Sequence, residues 1–247
     1  MNIDINCDVG EGVGNEAQLL PFISSCNIAC GGHAGDEKTI DKVLKLAKLY
    51  NVKVGAHPSF PDRENFGRKV MDISLSELKK SLEVQVMVLK ERTEYYKKSL
   101  HHVKAHGALY NLTATDKKMA ELVVDVVLKC SPDSFLYVPY QSEISEIAKQ
   151  KGLQLRVEAF ADRNYNEDLT LVARSNVQAL IHRKEEVFSH LLSMIEKNKV
   201  RTITGKELPI KADTFCIHGD SKNADVLVKY LFDEFKKLNI KIDKLIY

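Results

Sequence analysis

The sequence predicts an α/β protein built on a parallel sheet. Short apolar runs alternate with longer amphipathic ones, polar motifs stand at the ends of the apolar runs, and no Gly-, Ser- or Pro-rich linker divides the chain. Its 247 residues, 44% hydrophobic and 28% charged, can bury a large core, and α/β barrels reach this length as one unit. A single domain over residues 1–247 is therefore expected.

The apolar runs give about seven strands: Asn2 to Asn6, Ser25 to Ala29, Val52 to Ala56, Val103 to Ala105, Phe135 to Val138, Leu153 to Glu158 and Thr214 to Ile217. Between them, Asp36 to Tyr50 places Ile40, Val43, Leu44, Leu46 and Ala47 at helical spacing, with Asp36 as the N-terminal cap. Ser74 to Lys98 opens on SLSE, in which Ser74 and Glu77 have capping-box spacing. Asp116 to Lys129, Ser142 to Lys151, Lys184 to Asn198 and Asn223 to Leu238 complete the helices, and RTITG and ELPIKA flank a Gly205 turn that predicts a small hairpin within Arg201 to Ile210.

Lys and Arg total 36 against 34 for Asp and Glu, a net charge of +2 that supplies no electrostatic reason for a nucleic-acid or anionic-membrane partner. No run approaches the roughly 18 apolar residues of a membrane span, and MNIDINCDVGEG has no basic or apolar leader pattern. Five irregularly placed cysteines in so long a chain read as reduced thiols of a cytoplasmic protein. Cys7, Cys26, Cys30 and Cys216 lie in or beside apolar runs, as small hydrophobes rather than nucleophiles.

Six motifs begin within a residue or two of a strand's C-terminal end: NCDVGEG, CNIACGGHAGD, GAHPSFPD, KAHGALYN, EAFADRNY and CIHGD. In a parallel barrel or open sheet those ends share one face, so the six loops should line one pocket. Asp8, with Glu11 nearby, could act as a base, orient a histidine or hold a metal, or simply make an Asx turn. Gly31 and Gly32 suit close approach of backbone and His33 to a ligand, while Asp36 reads as a cap rather than a catalyst. His57 precedes a Pro-stiffened loop whose Arg63 and Arg68 suit bidentate binding of an anion. Lys104, two residues before His106, is costly to bury unless it meets an anion, and His106 titrates near neutrality. Asn111, Glu158, Asp162 with Arg163, Arg174 and His218 extend the set, whereas His101, His102, His182 and His190 read as structural or exposed. Asp8, His57 and His106 are ligand types, but no HExxH-like spacing supports a metal, and the absence of a G-x-x-x-x-G-K-[ST] run excludes a phosphate loop.

In order, DINCDVGEGVGNE, SSCNIACGGHAGD, VGAHPSFPDRENFGR, VKAHGALYN, EAFADRNYNEDLTLVAR and CIHGD resemble the motifs of the LamB/YcsF family, the A subunits of bacterial ATP-dependent 5-oxoprolinase, over nearly the whole chain. The resemblance implies a seven-stranded parallel β/α barrel of the glycoside hydrolase/deacetylase type. It implies hydrolysis of the 5-oxo-L-proline lactam to L-glutamate, with ATP as co-substrate of a complex with B and C subunits and no metal in this chain. In that scheme Asp8 with His57 or His106 activates water, and Lys104, Arg63 or Arg174 holds the substrate carboxylate and developing oxyanion. Ala105 departs from the family's usual proline, and Glu167 to Leu169 from its usual Asp-Gly pair. The alternatives are a stand-alone metal-dependent amidohydrolase or sugar deacetylase, and a non-catalytic carbohydrate-binding subunit.

Overall fold

The computed structural model describes residues 1–221 and 223–244, so the last three residues of the expected 1–247 domain lie outside the described residues. The strands are β1 Asn2–Ile3, β2 Ile5–Val9, β3 Ser25–Ala29, β4 Lys53–His57, β5 His102–Val103, β6 Phe135–Pro139, β7 Leu155–Phe160, β8 Lys199–Arg201, β9 Glu207–Pro209, β10 Thr214–Ile217 and β11 Lys241–Ile242. The helices are α1 Glu16–Leu19, α2 Glu37–Leu49, α3 Leu75–Tyr95, α4 Gly107–Thr115, α5 Lys117–Cys130, α6 Glu143–Gln150, α7 Lys184–Lys197 and α8 Ala224–Lys237.

Seven of these strands, β2 through β7 and then β10, close a parallel barrel in which β10 pairs with both β7 and β2. One set of alternating residues, including Ile5, Cys7, Val9, Cys26, Ile28, Val54, Ala56, Leu136 and Val138, belongs to the apolar core shared with the helices. The other set, including Asn6, Asp8, Asn27, Lys104 and Glu158, is buried and polar, and its members bond to one another across the lumen. The helix starts follow the capping logic of the sequence. Asp36 accepts from the Thr39 N–H, and Ser74 with Glu77 forms a complete capping box.

Two details differ from expectation, and His102, read as structural or exposed, takes the structural alternative. The run from Asn2 to Asn6 is two strands: Asn2–Ile3 leaves the barrel to pair with β11, so the barrel strand starts at Ile5 and Asp8 lies within it rather than after it. The motif KAHGALYN is not a loop. β5 ends at Val103 and α4 starts at Gly107, a short helix of weak amphipathic pattern that periodicity passes over. His102 is wholly buried inside the barrel, where its Nε2 lies 2.6 Å from Asn27 Oδ1 and its ring stacks on Tyr137. Gly55 makes room for it, since a Cβ there would lie 2.1 Å from His102 Nε2. The hairpin is β8 with β9, antiparallel around the Gly205 turn.

Candidate active site

The loops converge as the strand-end motifs imply, on a cavity of ≈ 260 Å³ at the C-terminal end of the barrel. Asp8, His57, Lys104, Arg68, His106, Asn111, Arg174 and His218 line it, joined by Tyr110, Phe160 and Arg163. Arg163 is expected beside Glu158 and Asp162 at the end of its strand, whereas Tyr110 belongs to KAHGALYN and nothing in its spacing aims it at the cavity.

Asp8 Oδ1 receives Asn27 Nδ2 at 2.7 Å and Lys104 Nζ at 3.0 Å, and lies 3.4 Å from His57 Nε2. Burial pushes the Asp8 carboxyl upward, but His57, when charged, and Lys104 outweigh it and hold the group well below the usual carboxylate range. Lys104 reaches Glu158 Oε1 at 2.9 Å as well. Burial works against its charge, yet Asp8, Cys216 and Glu158 hold its pKa well above the ordinary lysine value. Its ammonium is thus spent on protein carboxylates rather than left for a substrate anion.

Backbone carbonyls fix the tautomers of the two central histidines. A carbonyl can only accept, so His57 Nδ1 donates to the Lys104 carbonyl at 2.8 Å and His106 Nε2 to the Phe66 carbonyl at 3.0 Å. The remaining nitrogens, His57 Nε2 and His106 Nδ1, face each other at 3.0 Å. Glu11 Oε1 lies 3.4 Å from His106 Nδ1 and 2.9 Å from His33 Nε2. Burial, then the charges of Asp8 and Asp220, raises the Glu11 carboxyl well above its usual range. Burial, then His57 and His33, keeps His106 neutral far below its ordinary value. One ligand atom each from Asp8, Glu11, His57 and His106 falls within 4.8 Å of every other, the one such grouping of His, Cys, Asp and Glu among the described residues.

The other expected residues surround this centre in different ways. His33 stacks on His106 at 3.6 Å, nearly parallel, and its Nδ1 meets Ser59 Oγ at 3.0 Å. It stands behind the cavity lining, as do Glu11, Glu158 and Asp162. Asp162 accepts from His218 Nδ1 at 2.9 Å and from the His218 backbone N–H at 3.0 Å, which orients that ring beside Phe160. Arg68 pairs with Asp220 and lies over the Phe66 ring. Arg63 is exposed and away from the cavity, where it donates to the Gly31 and Gly35 carbonyls at 3.3 and 2.7 Å and ties two loops together. Gly32 meets no ligand surface: a Cβ there would sit 2.4 Å from Gln85 Oε1, so its role is packing against α3. Arg163 is buried, bonded to the Ala179 and Val172 carbonyls, and lowered to about 10 by burial and by Arg174, so it stays charged.

A family model described as the LamB/YcsF family matches residues 3–246. A Clostridium beijerinckii protein named as the A subunit of 5-oxoprolinase is 41% identical over 245 residues, 97% of this chain and 96% of that one. A Staphylococcus aureus protein of the same name is 38% identical over 250 residues, 99% of this chain and 100% of the other. A Thermus thermophilus crystal structure described as a lactam utilization protein superposes with a TM-score of 0.92 at 33% identity, covering 99% of this chain and 100% of that one.

Proposed function

Since the chain belongs to the LamB/YcsF family, we propose that it is the ring-opening subunit of a 5-oxoprolinase. It hydrolyses the lactam of 5-oxo-L-proline to L-glutamate, with ATP hydrolysed to ADP and phosphate by the complex it forms with B and C subunits. The observation that carries the reading is a small cavity whose floor holds an ionised carboxylate and two histidines and whose wall holds three arginines. A cyclic amide bearing one carboxylate fits that division: the anion goes to the arginines, and the reacting carbonyl to the floor.

The floor cluster of Asp8, His57 and His106 activates the attacking water. Its oxygen goes to the lactam carbon, and the ring C–N bond breaks. A proton passes to the ring nitrogen, which becomes the α-amine of glutamate. Lys104, paired with Asp8 and Glu158, keeps Asp8 ionised for this step, and Asn27 fixes its rotamer. Arg68, Arg163 and Arg174, with Asn111, hold the substrate carboxylate, and His218, oriented by Asp162, closes the opposite wall. A five-membered lactam is an unstrained amide. Phosphorylation of its oxygen by the partner subunits gives this site a better electrophile. Water addition and C–N cleavage then leave γ-glutamyl phosphate, whose acyl–phosphate bond a second water hydrolyses to glutamate and phosphate. A chain without a phosphate loop is suited to the water-addition half. All five cysteines are unpaired and buried, in keeping with a cytoplasmic site of action.

The test is glutamate release from 5-oxo-L-proline by the purified chain, alone and with its two partners, with and without ATP. Glutamate is expected only with partners and ATP together. Ring opening by the lone chain without ATP, or none by the full mixture, overturns the proposal.

A further inference from the structure

We propose that Asp8, Glu11, His57 and His106 form a binding site for one divalent first-row transition-metal ion. The argument is one of donors and acceptors and does not depend on which substrate the site takes. His57 commits its Nδ1 proton to the Lys104 carbonyl, and His106 commits its Nε2 proton to the Phe66 carbonyl. With those protons committed, the second nitrogens of the two rings face each other at 3.0 Å, so at least one of them offers a bare lone pair. Asp8 Oδ1 lies 3.4 Å from one of these nitrogens and Glu11 Oε1 3.4 Å from the other. Two imidazole nitrogens and the Asp8 and Glu11 carboxyls thus converge within 4.8 Å, buried or nearly so, and the donors that Asp8 receives, from Asn27 and Lys104, both fall on Oδ1. Two ring nitrogens so close need a proton or a cation between them, and flanking carboxyls at 3.4 Å from each suit a cation.

The supporting contacts match those of metal centres. Ligating histidines characteristically give their second ring N–H to a backbone carbonyl, as both do here, and ligating carboxylates are themselves hydrogen-bonded. Asp8 is held by Asn27 and Lys104, both on Oδ1. Glu11 is held by His33 Nε2 at 2.9 Å, and His33 in turn by Ser59, so His33 acts as a positioning residue. Two imidazoles and two carboxylates without a thiolate favour Zn²⁺, Fe²⁺, Co²⁺ or Mn²⁺ over Ca²⁺ or Mg²⁺. When bound, such an ion lowers the pKa of a coordinated water.

The experiment uses the untagged full-length chain, stripped with a chelator, titrated with Zn²⁺ alone by calorimetry and with Co²⁺ alone by visible absorption. One ion per chain is expected, with histidine ring resonances of His57 and His106 shifting and those of His182 unchanged. The double variant His57→Asn with His106→Asn should weaken binding by more than the roughly 10–100-fold that loss of an outer partner costs, and His33→Ala by about that range. Glu11→Gln, which keeps size and burial, guards against a folding artefact, and thermal melting of each metal-free variant reports whether it folds. His182→Asn should bind as the parent does. Absence of saturable binding, or equal affinity in the folded double variant, overturns the site. Because no substrate is present, failure here is separate from failure of the lactam reading.

Discussion

Two buried polar regions lie one above the other in the barrel, and they are built on opposite accounting. In the lower one, Asp4 accepts from Ser25, Thr214 and Lys53, and Asn6 donates to Glu158 and Thr214 and accepts from Asn27. Asn27 Oδ1 in turn meets His102 Nε2. Donors and acceptors match, so this region is a polar brace between strands. The mismatch begins at Glu158, whose Oε2 is buried without a hydrogen-bond partner, and grows in the upper region, where the second ring nitrogens of His57 and His106 face each other between the Asp8 and Glu11 carboxyls. Burial and polarity do not distinguish the two regions. A closed hydrogen-bond network is structure, and an unclosed one is poised for something the chain does not contain.

The contrast breaks most sharply at Asp8. Asp8→Asn keeps shape and removes the charge, and glutamate release by the complex should fall about 10³-fold, near 4 kcal/mol in barrier. Lys104 keeps Glu158, so the thermal midpoint should register a loss of no more than about 2 kcal/mol. Comparable losses of activity and stability would erase the distinction.

Gly55→Ala is the counterpart in the lower region. Its Cβ would land 2.1 Å from His102 Nε2, displacing the ring and leaving Asn27 Oδ1 unpaired. Denaturant unfolding should show a loss of about 3 kcal/mol, and a stability equal to the parent's would show that the brace carries no load.

Acid should weaken both regions. Burial holds His33 at about 2 and His101 at about 4, and His102 well below its ordinary value. A histidine depressed in the folded state binds more protons when unfolded, so its stabilisation is present above the ordinary value near 6.5 and is lost as pH falls toward the folded value. Glu11, raised by burial, has the opposite sign, being stabilised at low pH and losing that stabilisation as pH rises through its folded value. The histidines outnumber it. Unfolding free energy should therefore drop between pH 7 and pH 5 by about 1–2 kcal/mol for each such ring. A flat profile there would mean the rings are charged in the folded protein.

The smallest effect sharpens the rim. Arg68→Ala removes a half-exposed pair with Asp220, so stability should stay within about 0.5 kcal/mol. The KM for 5-oxo-L-proline should rise about 10-fold, close to 1.4 kcal/mol, and an unchanged KM would remove Arg68 from the binding set.

Local pattern made much of this legible. Strand positions, the caps at Asp36 and Ser74, and the placement of polar motifs at strand ends follow from periodicities of two and 3.6 and from capping chemistry, all within a few residues. Helix α4 escaped because nine residues with little amphipathic pattern carry a weak signal. Arg63 and Lys104 could be picked out as cations, but what their charges meet is set elsewhere: loop carbonyls for one, Asp8 and Glu158 for the other.

By itself, then, the sequence determined the βα alternation, the shared face and the cast of polar residues upon it. The tertiary structure alone decided which of them close a network and which do not. The physical reason is range. Periodicity is written between neighbours, whereas the bonds that satisfy Asn6 and Asn27, and the carbonyls of Lys104 and Phe66 that fix His57 and His106, join residues 40 to 208 positions apart except where adjacent barrel strands bring 19 to 21 into register. Pairing of neighbouring strands brings some of these partners together, and closure of β10 onto β2 sets Thr214 against Asn6.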